Sequence, residues 1–211
     1  YYQSPELTTT LAPWNTWEDY FAITAKEAGF ELACQRGFAE ARDVVPPALF
    51  AHEAEIWPAT VEAIALHSRL PRMLVHSDVH LKNWYVAAPD RMGLTDWQCS
   101  CKGHWSRDLS YCISTALTVE QRRAWEKELL TYYLELMHAK GVPAIAFDDA
   151  WLAYRAQMFP ALAWWTGTLG QPPEAPAMQP RAASLTFIER MANAVHDLDS
   201  LRAVREAQAR F

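Results

Sequence analysis

The sequence predicts an α+β fold that is mostly helical, with one small patch of β structure. Three observations predict it. Apolar residues recur at helical spacing, with capping signals, both before residue 70 and after residue 106. Three short strand-like runs stand between them. Among those runs lies a dense polar stretch, "VHSDVHLKNW" (75–84), which neither a core nor an ordinary surface turn requires.

The elements follow in order. "NTWEDYFAITAKEAG" reads as a helix that Asn15 or Thr16 caps; Trp17, Tyr20, Phe21 and Ala28 recur at helical spacing and Gly29 ends it. A second amphipathic segment runs from Phe30 to Ala41. "VVPPALF" places prolines where a helix begins, and that helix is expected to reach about Leu70, with Pro58 kinking or splitting it. The strand candidates are "RMLVH" (72–76), "WYVAA" (84–88) and "RMGLT" (91–95), the last two joined as a hairpin at Pro89 and Asp90. Beyond Ser106 the pattern is helical. "SRDLSYCISTAL" comes first, then a helix opened by a Thr118–Gln121 capping box and stopped by Gly141, then one from about Asp148 to Gly170. The Pro-rich loop "QPPEAPAMQP" precedes a last helix bearing Leu185, Ile188, Met191, Ala192, Val195 and Leu198 on one face.

Composition narrows the class. The 211 residues are 51% hydrophobic and 21% charged, which suits a soluble globular chain of one large domain or two small ones. A net charge of −6 without a basic run argues against nucleic acid as a partner. No apolar run approaches ~20 residues and no signal-type leader is evident, so no membrane partner is expected. Cys34, Cys99, Cys101 and Cys112 read as reduced packing thiols of a cytoplasmic protein, because Cys99 and Cys101 stand too close together for the usual zinc spacing. Ten tryptophans are a heavy load and seven glycines a light one. A chain that begins "YYQSPEL", without Met, is expected to be a piece of a longer polypeptide. The sequence does not indicate an oligomeric state.

Phosphoryl transfer needs a carboxylate within reach of the attacking hydroxyl and oxygen ligands for a divalent ion on the phosphates. A loop after a strand can present an Asp and, five residues on, an Asn; a second Asp after a hairpin supplies a further ligand. Asp78, Asn83 and Asp96 stand in that order and setting.

At these residues the chain resembles the aminoglycoside phosphotransferase and choline kinase-like family, relatives of the protein kinases. "HSDVHLKN" is similar to its H-G-D-x-x-x-x-N catalytic loop, "LTDWQ" to its metal loop, and "GHWSRDLSY" to the segment that braces the catalytic loop. The resemblance implies the C-terminal lobe of a protein-kinase-like phosphotransferase, spanning residues 1–211, that uses ATP and Mg²⁺ to phosphorylate a hydroxyl of a small molecule. It implies Asp78 as the catalytic carboxylate, and Asn83 and Asp96 as Mg²⁺ ligands. His80 falls where a phosphate-contacting residue is expected, and Tyr85 where the adenine floor is expected. His76 and Asp108 become structural supports.

Two departures stand out. The family usually has Gly where this chain has Ser77, and often Gly where it has Lys82; a φ above zero at Lys82 would cost ~1–2 kcal/mol, while its charge would lie beside the phosphates. A Gly-rich phosphate loop and a strand lysine are absent, so the N-terminal nucleotide lobe is expected outside this chain.

For the acceptor, Trp105, Trp164 and the Met178–Gln179 stretch are the candidate walls. An aromatic cage would suit choline, a flat apolar wall a steroid or macrolide, and an aminoglycoside would demand carboxylates, for which Asp148, Asp149 and Glu174 are the candidates. Two other readings compete. His76, Asp78 and His80 form an H-x-D-x-H pattern that would suit a metal-dependent hydrolase. Ser77 and Lys82 would suit a pseudokinase that binds without turnover.

Overall fold

The computed structural model describes residues 2–27 and 29–211; Ala28, expected on the apolar face of the first helix, lies outside them. Among the described residues, ten α-helices and four short strands follow one another. They are α1 Trp17–Glu27, α2 Phe30–Glu40, α3 Pro47–Phe50, α4 Glu53–Ala65, β1 Met73–Val75, β2 Trp84–Ala88, β3 Arg91–Leu94, β4 Cys101–Gly103, α5 Ser106–Ala116, α6 Val119–Ala139, α7 Phe147–Ala156, α8 Met158–Leu169, α9 Arg181–Asp197 and α10 Ser200–Arg210. No helix among the described residues is long and apolar enough to cross a membrane.

Local chemistry explains the ends. Thr16 Oγ1 accepts from the Asp19 N–H at 3.1 Å and so caps α1. Gly29, at φ 55°, turns the chain directly into α2. The Thr118–Gln121 capping box is present, with both reciprocal bonds made, and Gly141 at φ 89° closes the other end of α6.

Helix α8 is the central element. Nine of its twelve residues are buried, as expected of a helix that is apolar on every side. Helices α2, α4, α5 and α9 pack around it. At Gly37 the α2 backbone lies against α8 so closely that a Cβ would stand 1.9 Å from the Thr166 carbonyl oxygen. Larger residues there would force the two helices apart. A second apolar cluster, built on Trp17, Phe21, Phe30 and Cys34, joins α1 and α2 to Ala163 of α8. Burying side chains of this size is worth ~2–3 kcal/mol each. On the far side, the buried Arg122 of α6 bonds Glu126 at 3.0 Å and Asp197 of α9.

Four features differ from the sequence expectation. The break in the third predicted helix falls at Ala51 and His52, between α3 and α4, and not at Pro58, which α4 absorbs. Pro58 lacks the N–H that would have bonded Ala54, and one missing bond near the helix start is tolerated. The predicted helix 148–170 is two helices that meet at Gln157. Pro160 has no N–H to give and its ring would meet the Ala156 carbonyl, so the helix restarts at Met158 and holds the proline in its first turn. The last predicted helix ends at Asp197, and Asp199, at φ 48°, starts the additional α10. Cys101 and Lys102, which lie outside the three strand candidates, belong to β4, which pairs antiparallel with β1 through Val75↔Cys101 and Met73↔Gly103.

The β2–β3 hairpin forms as expected, with Trp84 opposite Leu94 and the turn at Pro89 and Asp90. The two small sheets hold the ends of the polar loops, and the remaining regular structure among the described residues is helical.

A buried histidine pair ties the strands to α8. His67 Nε2 donates to Gln157 Oε1 at 2.9 Å, and its Nδ1 accepts the His104 N–H at 2.9 Å. The neutral ring is thus fully satisfied, and a proton on Nδ1 would face a donor. Burial, reinforced by Arg107 and Arg72, brings the His67 pKa down to about 4, and burial also holds His104 well below its ordinary value. A folded-state pKa below the unfolded 6.5 means that the unfolded chain binds the proton first. The stabilisation is complete above pH 6.5 and lost as pH falls toward 4. The unfolding free energy from urea titration is therefore expected to fall on acidification, with His67 contributing about 1 kcal/mol per pH unit below that value; a free energy flat from pH 7 to 5 would contradict it.

Candidate active site

The polar loop leaves β1 at Val75 and is pinned from beneath by Asp108 in the first turn of α5. Asp108 Oδ2 accepts the His76 N–H at 2.7 Å, and Oδ1 accepts the Ser77 N–H at 2.9 Å. Burial pushes the Asp108 pKa up, against those two bonds and the neighbouring Arg107. Arg107 is wholly buried. Its Nη2 donates to the Ser77 carbonyl at 2.9 Å, and the guanidinium lies 4.5 Å from the Trp17 ring centre and 4.7 Å from that of Tyr111. Asp108 thus bonds the backbone of the loop at two residues, and Arg107 bonds it at a third point that sequence reasoning missed.

His76 is buried and turned inward. Its Nε2 donates to the Thr95 carbonyl at 2.8 Å, Nδ1 accepts the Asp78 N–H at 3.3 Å, and Trp97 packs edge-on at 4.6 Å. Both ring nitrogens are committed. Among the described residues, no three His, Cys, Asp or Glu side chains converge so as to hold a metal. The H-x-D-x-H hydrolase reading is corrected on that ground.

The strain lies at Ser77, not at Lys82. Ser77 has φ 66°, and Lys82 is not among the residues at positive φ. A Cβ in the left-handed region costs ~1–2 kcal/mol; the Ser77 hydroxyl returns a weak contact to Cys101 Sγ at 3.1 Å. Ser77→Gly is expected to stabilise the chain by about 1 kcal/mol, whereas Lys82→Gly is expected to give no gain. Thermal unfolding of the two variants side by side checks it. Lys82 itself is exposed, and its Nζ donates to Gln179 Oε1 at 2.7 Å, so its charge is directed toward the Pro-rich loop.

Asp78 and Asn83 are in direct contact. Asn83 Nδ2 donates to the Asp78 carbonyl at 2.8 Å and to Asp78 Oδ2 at 3.1 Å. With its nitrogen so used, Asn83 keeps Oδ1 as a free acceptor. The Asn83 carbonyl receives the Thr95 N–H at 2.8 Å, which extends the hairpin register and sets Asp96 one residue beyond that junction. Asp96 is exposed, at φ 61°, and heads the short 3-10 turn Trp97–Cys99. The three residues thus sit on two linked turns.

Asp78 Oδ1 accepts the Tyr111 hydroxyl at 3.1 Å, and Tyr111 in turn accepts Trp165 Nε1–H at 2.9 Å. His80 is buried, with Nε2 3.5 Å from Asp78 Oδ2 and its ring edge-on to Trp165 at 5.4 Å. Burial opposes the charge on Asp78, but His80, the Tyr111 hydroxyl and Arg107 outweigh it and hold the carboxyl below its ordinary 3.8.

A cavity of about 420 Å³ opens beside Asp78, walled by Tyr20 of α1, Tyr111 of α5, Trp164 and Trp165 of α8, and Met178 and Gln179 of the Pro-rich loop. Of the candidate acceptor walls, Trp164 and Met178 line this cavity. Trp105 does not: it is 1% exposed and packs on Tyr133 and His104 in the main core, because the start of α5 faces α6. Tyr111, Trp165 and Tyr20 were missed. The family-like segment "GHWSRDLSY" contained Tyr111, which lies one helical turn after Asp108, and that spacing was the available signal. Tyr85 lies half exposed on β2 with its ring across Gly93, where a Cβ would meet it at 2.4 Å.

The family model described as phosphotransferase enzyme family, APH, matches residues 22–147. The chain belongs to the APH phosphotransferase family. No curated protein and no solved structure matches it. The APH match embraces the whole polar cluster, Asp78, Asn83, Asp96, Asp108 and Tyr111, and ends before Trp164 and the Pro-rich loop. A phosphotransferase assignment therefore rests on the segment that carries the polar chemistry.

Proposed function

We propose that this chain is the C-terminal lobe of an ATP- and Mg²⁺-dependent small-molecule kinase, acting in the cytoplasm on a hydroxyl of the acceptor. The observation that carries the reading is the bond from Asn83 Nδ2 to Asp78, because it couples a hydroxyl-orienting carboxylate to an oxygen donor on the same loop. A preceding lobe would supply the remaining nucleotide contacts.

The residues present fit a hard divalent cation. Asn83 Oδ1 is free once its amide nitrogen is committed, Asp96 offers an exposed carboxylate, and both are oxygen donors of the kind Mg²⁺ prefers. When bound, the ion would neutralise charge on the phosphates. The chain itself does the rest. Asp78 accepts a hydrogen bond from the acceptor hydroxyl and aims it. A carboxyl held below its ordinary range stays ionised at neutral pH and is a weak base, so its first task is orientation. Tyr111 and His80 fix the carboxylate's rotation, and the buried aromatics of α8 exclude water from one side of it. His80 acts on this account through Asp78, and Tyr85 is the candidate floor for the base of the nucleotide.

The test is labelled ATP with a panel of hydroxylated acceptors, run on protein that includes the residues upstream of Tyr1. Transfer that vanishes with EDTA and returns with Mg²⁺ is the expected result. Nucleotide binding with no transfer to any acceptor would instead make the protein a binding module.

A further inference from the structure

Acceptor specificity is set by charge, and the cavity beside Asp78 is poor in it. Among its lining residues Asp78 is the only carboxylate. Its oxygens are already engaged by the Tyr111 hydroxyl at 3.1 Å and Asn83 Nδ2 at 3.1 Å, and the Arg107 guanidinium lies close behind the loop. Asp148, Asp149 and Glu174 do not line the cavity, and Asp149 is paired with Arg210 at 3.0 Å. An acceptor with several ammonium groups would strand them without partners in a half-enclosed space.

The aromatic walls do not form a cage for a single cation either. Attraction to a cation needs a free ring face within ~6 Å. The face of Tyr111 is taken by the Arg107 guanidinium, 4.7 Å from its centre. Trp165 is 3% exposed and packed against Phe187 at 4.4 Å, and Tyr20 stacks on Trp17 at 6.0 Å, so half-buried Trp164 is left as a single open ring, and one ring does not enclose a cation. These rings contribute apolar wall. Between them stand neutral hydrogen-bonding side chains, Thr24, Gln98, Thr168, Gln171 and Gln179, each able to meet a hydroxyl or an amide.

We infer that the acceptor is a neutral, ring-bearing polyol of the glycoside type, with one apolar face, and not a polyamine or a quaternary ammonium compound. The inference rests on the phosphotransferase reading above and adds the substrate class to it. The apolar face lies on Trp164 and Met178, the hydroxyls reach the glutamines and threonines, and one hydroxyl is presented to Asp78.

Calorimetry on the protein that includes the residues upstream of Tyr1, without nucleotide, compares three probes: salicin, a neutral aryl glucoside; kanamycin, a polycation; and choline. Salicin is expected to bind at least roughly tenfold more tightly than either cation. Thr168→Phe, which fills the cavity from the half-buried face of α8, is expected to weaken salicin by a similar factor while the thermal midpoint holds. Should that variant unfold, Gln98→Glu serves instead: it adds a carboxylate at an exposed rim position and is expected to raise kanamycin affinity several-fold. No salicin binding, tighter binding of kanamycin or choline, or salicin binding indifferent to a folded Thr168→Phe would each overturn the inference. Transfer of phosphate to kanamycin or choline by the longer protein would overturn it too and leave the kinase reading standing. Salicin binding without any phosphate transfer would support it and overturn the kinase reading.

Discussion

Asp78→Asn is expected to lower kcat for phosphoryl transfer by roughly 10²- to 10⁴-fold, with the fold retained. The substitution keeps the shape that Asn83 Nδ2 and the Tyr111 hydroxyl bond to. It removes the negative charge and offers a single acceptor oxygen, so the acceptor hydroxyl competes with Tyr111 for it. Because the substitution is isosteric and the site half-buried, stability is expected to change by under about 1 kcal/mol. The pH dependence supplies a second check. A carboxyl held below 3.8 stays ionised through the neutral range, so the acidic limb of kcat/KM due to Asp78 lies below that value. Steady-state rates for wild type and variant, with circular dichroism on both, measure this. An undiminished rate in a folded variant would remove Asp78 from the chemistry.

Asp108→Ala is expected to cost about 3 kcal/mol of folding stability, a large share of the ~5–15 kcal/mol of a typical domain. Two effects add. The N–H groups of His76 and Ser77 lose acceptors at 2.7 and 2.9 Å, and an unsatisfied buried donor costs ~1–3 kcal/mol. The buried Arg107 also loses the carboxylate beside it, while its Nε and Nη1 are already without partners. One effect subtracts, because burial disfavours the Asp108 charge that the variant removes. Asp108→Asn is expected to fall between the two, since its one acceptor oxygen serves one of the two N–H groups. Urea unfolding at unchanged m-value measures both; a loss below about 1 kcal/mol for the alanine variant would show that the brace contributes little.

Legibility differed by kind of feature. The family kinship was readable because Asp78, Asn83 and Asp96 stand in the order and setting of the motifs that the APH phosphotransferase match spans. The capping box at Thr118 and Gln121 and the hairpin turn at Pro89 and Asp90 were readable because they are local. Strand β4 was not. Three residues, one a lysine and one a glycine, carry no periodic signal, and they become a strand through the edge that β1 offers them. The departure at Ser77 was readable, but the position that bears the strain became clear only from its φ of 66°. Trp105 and Trp164 look alike in sequence; one is core and the other cavity wall because α5 and α8 turn them toward different neighbours.

By itself the sequence determined the chemical inventory, the helical character of the chain and the phosphotransferase kinship. These rest on side-chain chemistry and on contacts within a few residues. Tertiary structure alone decided which aromatics wall the cavity, where the long helices break, and how Tyr111 reaches Asp78 across 33 positions. Those outcomes depend on packing between segments far apart in the chain, and residue spacing encodes such contacts only weakly.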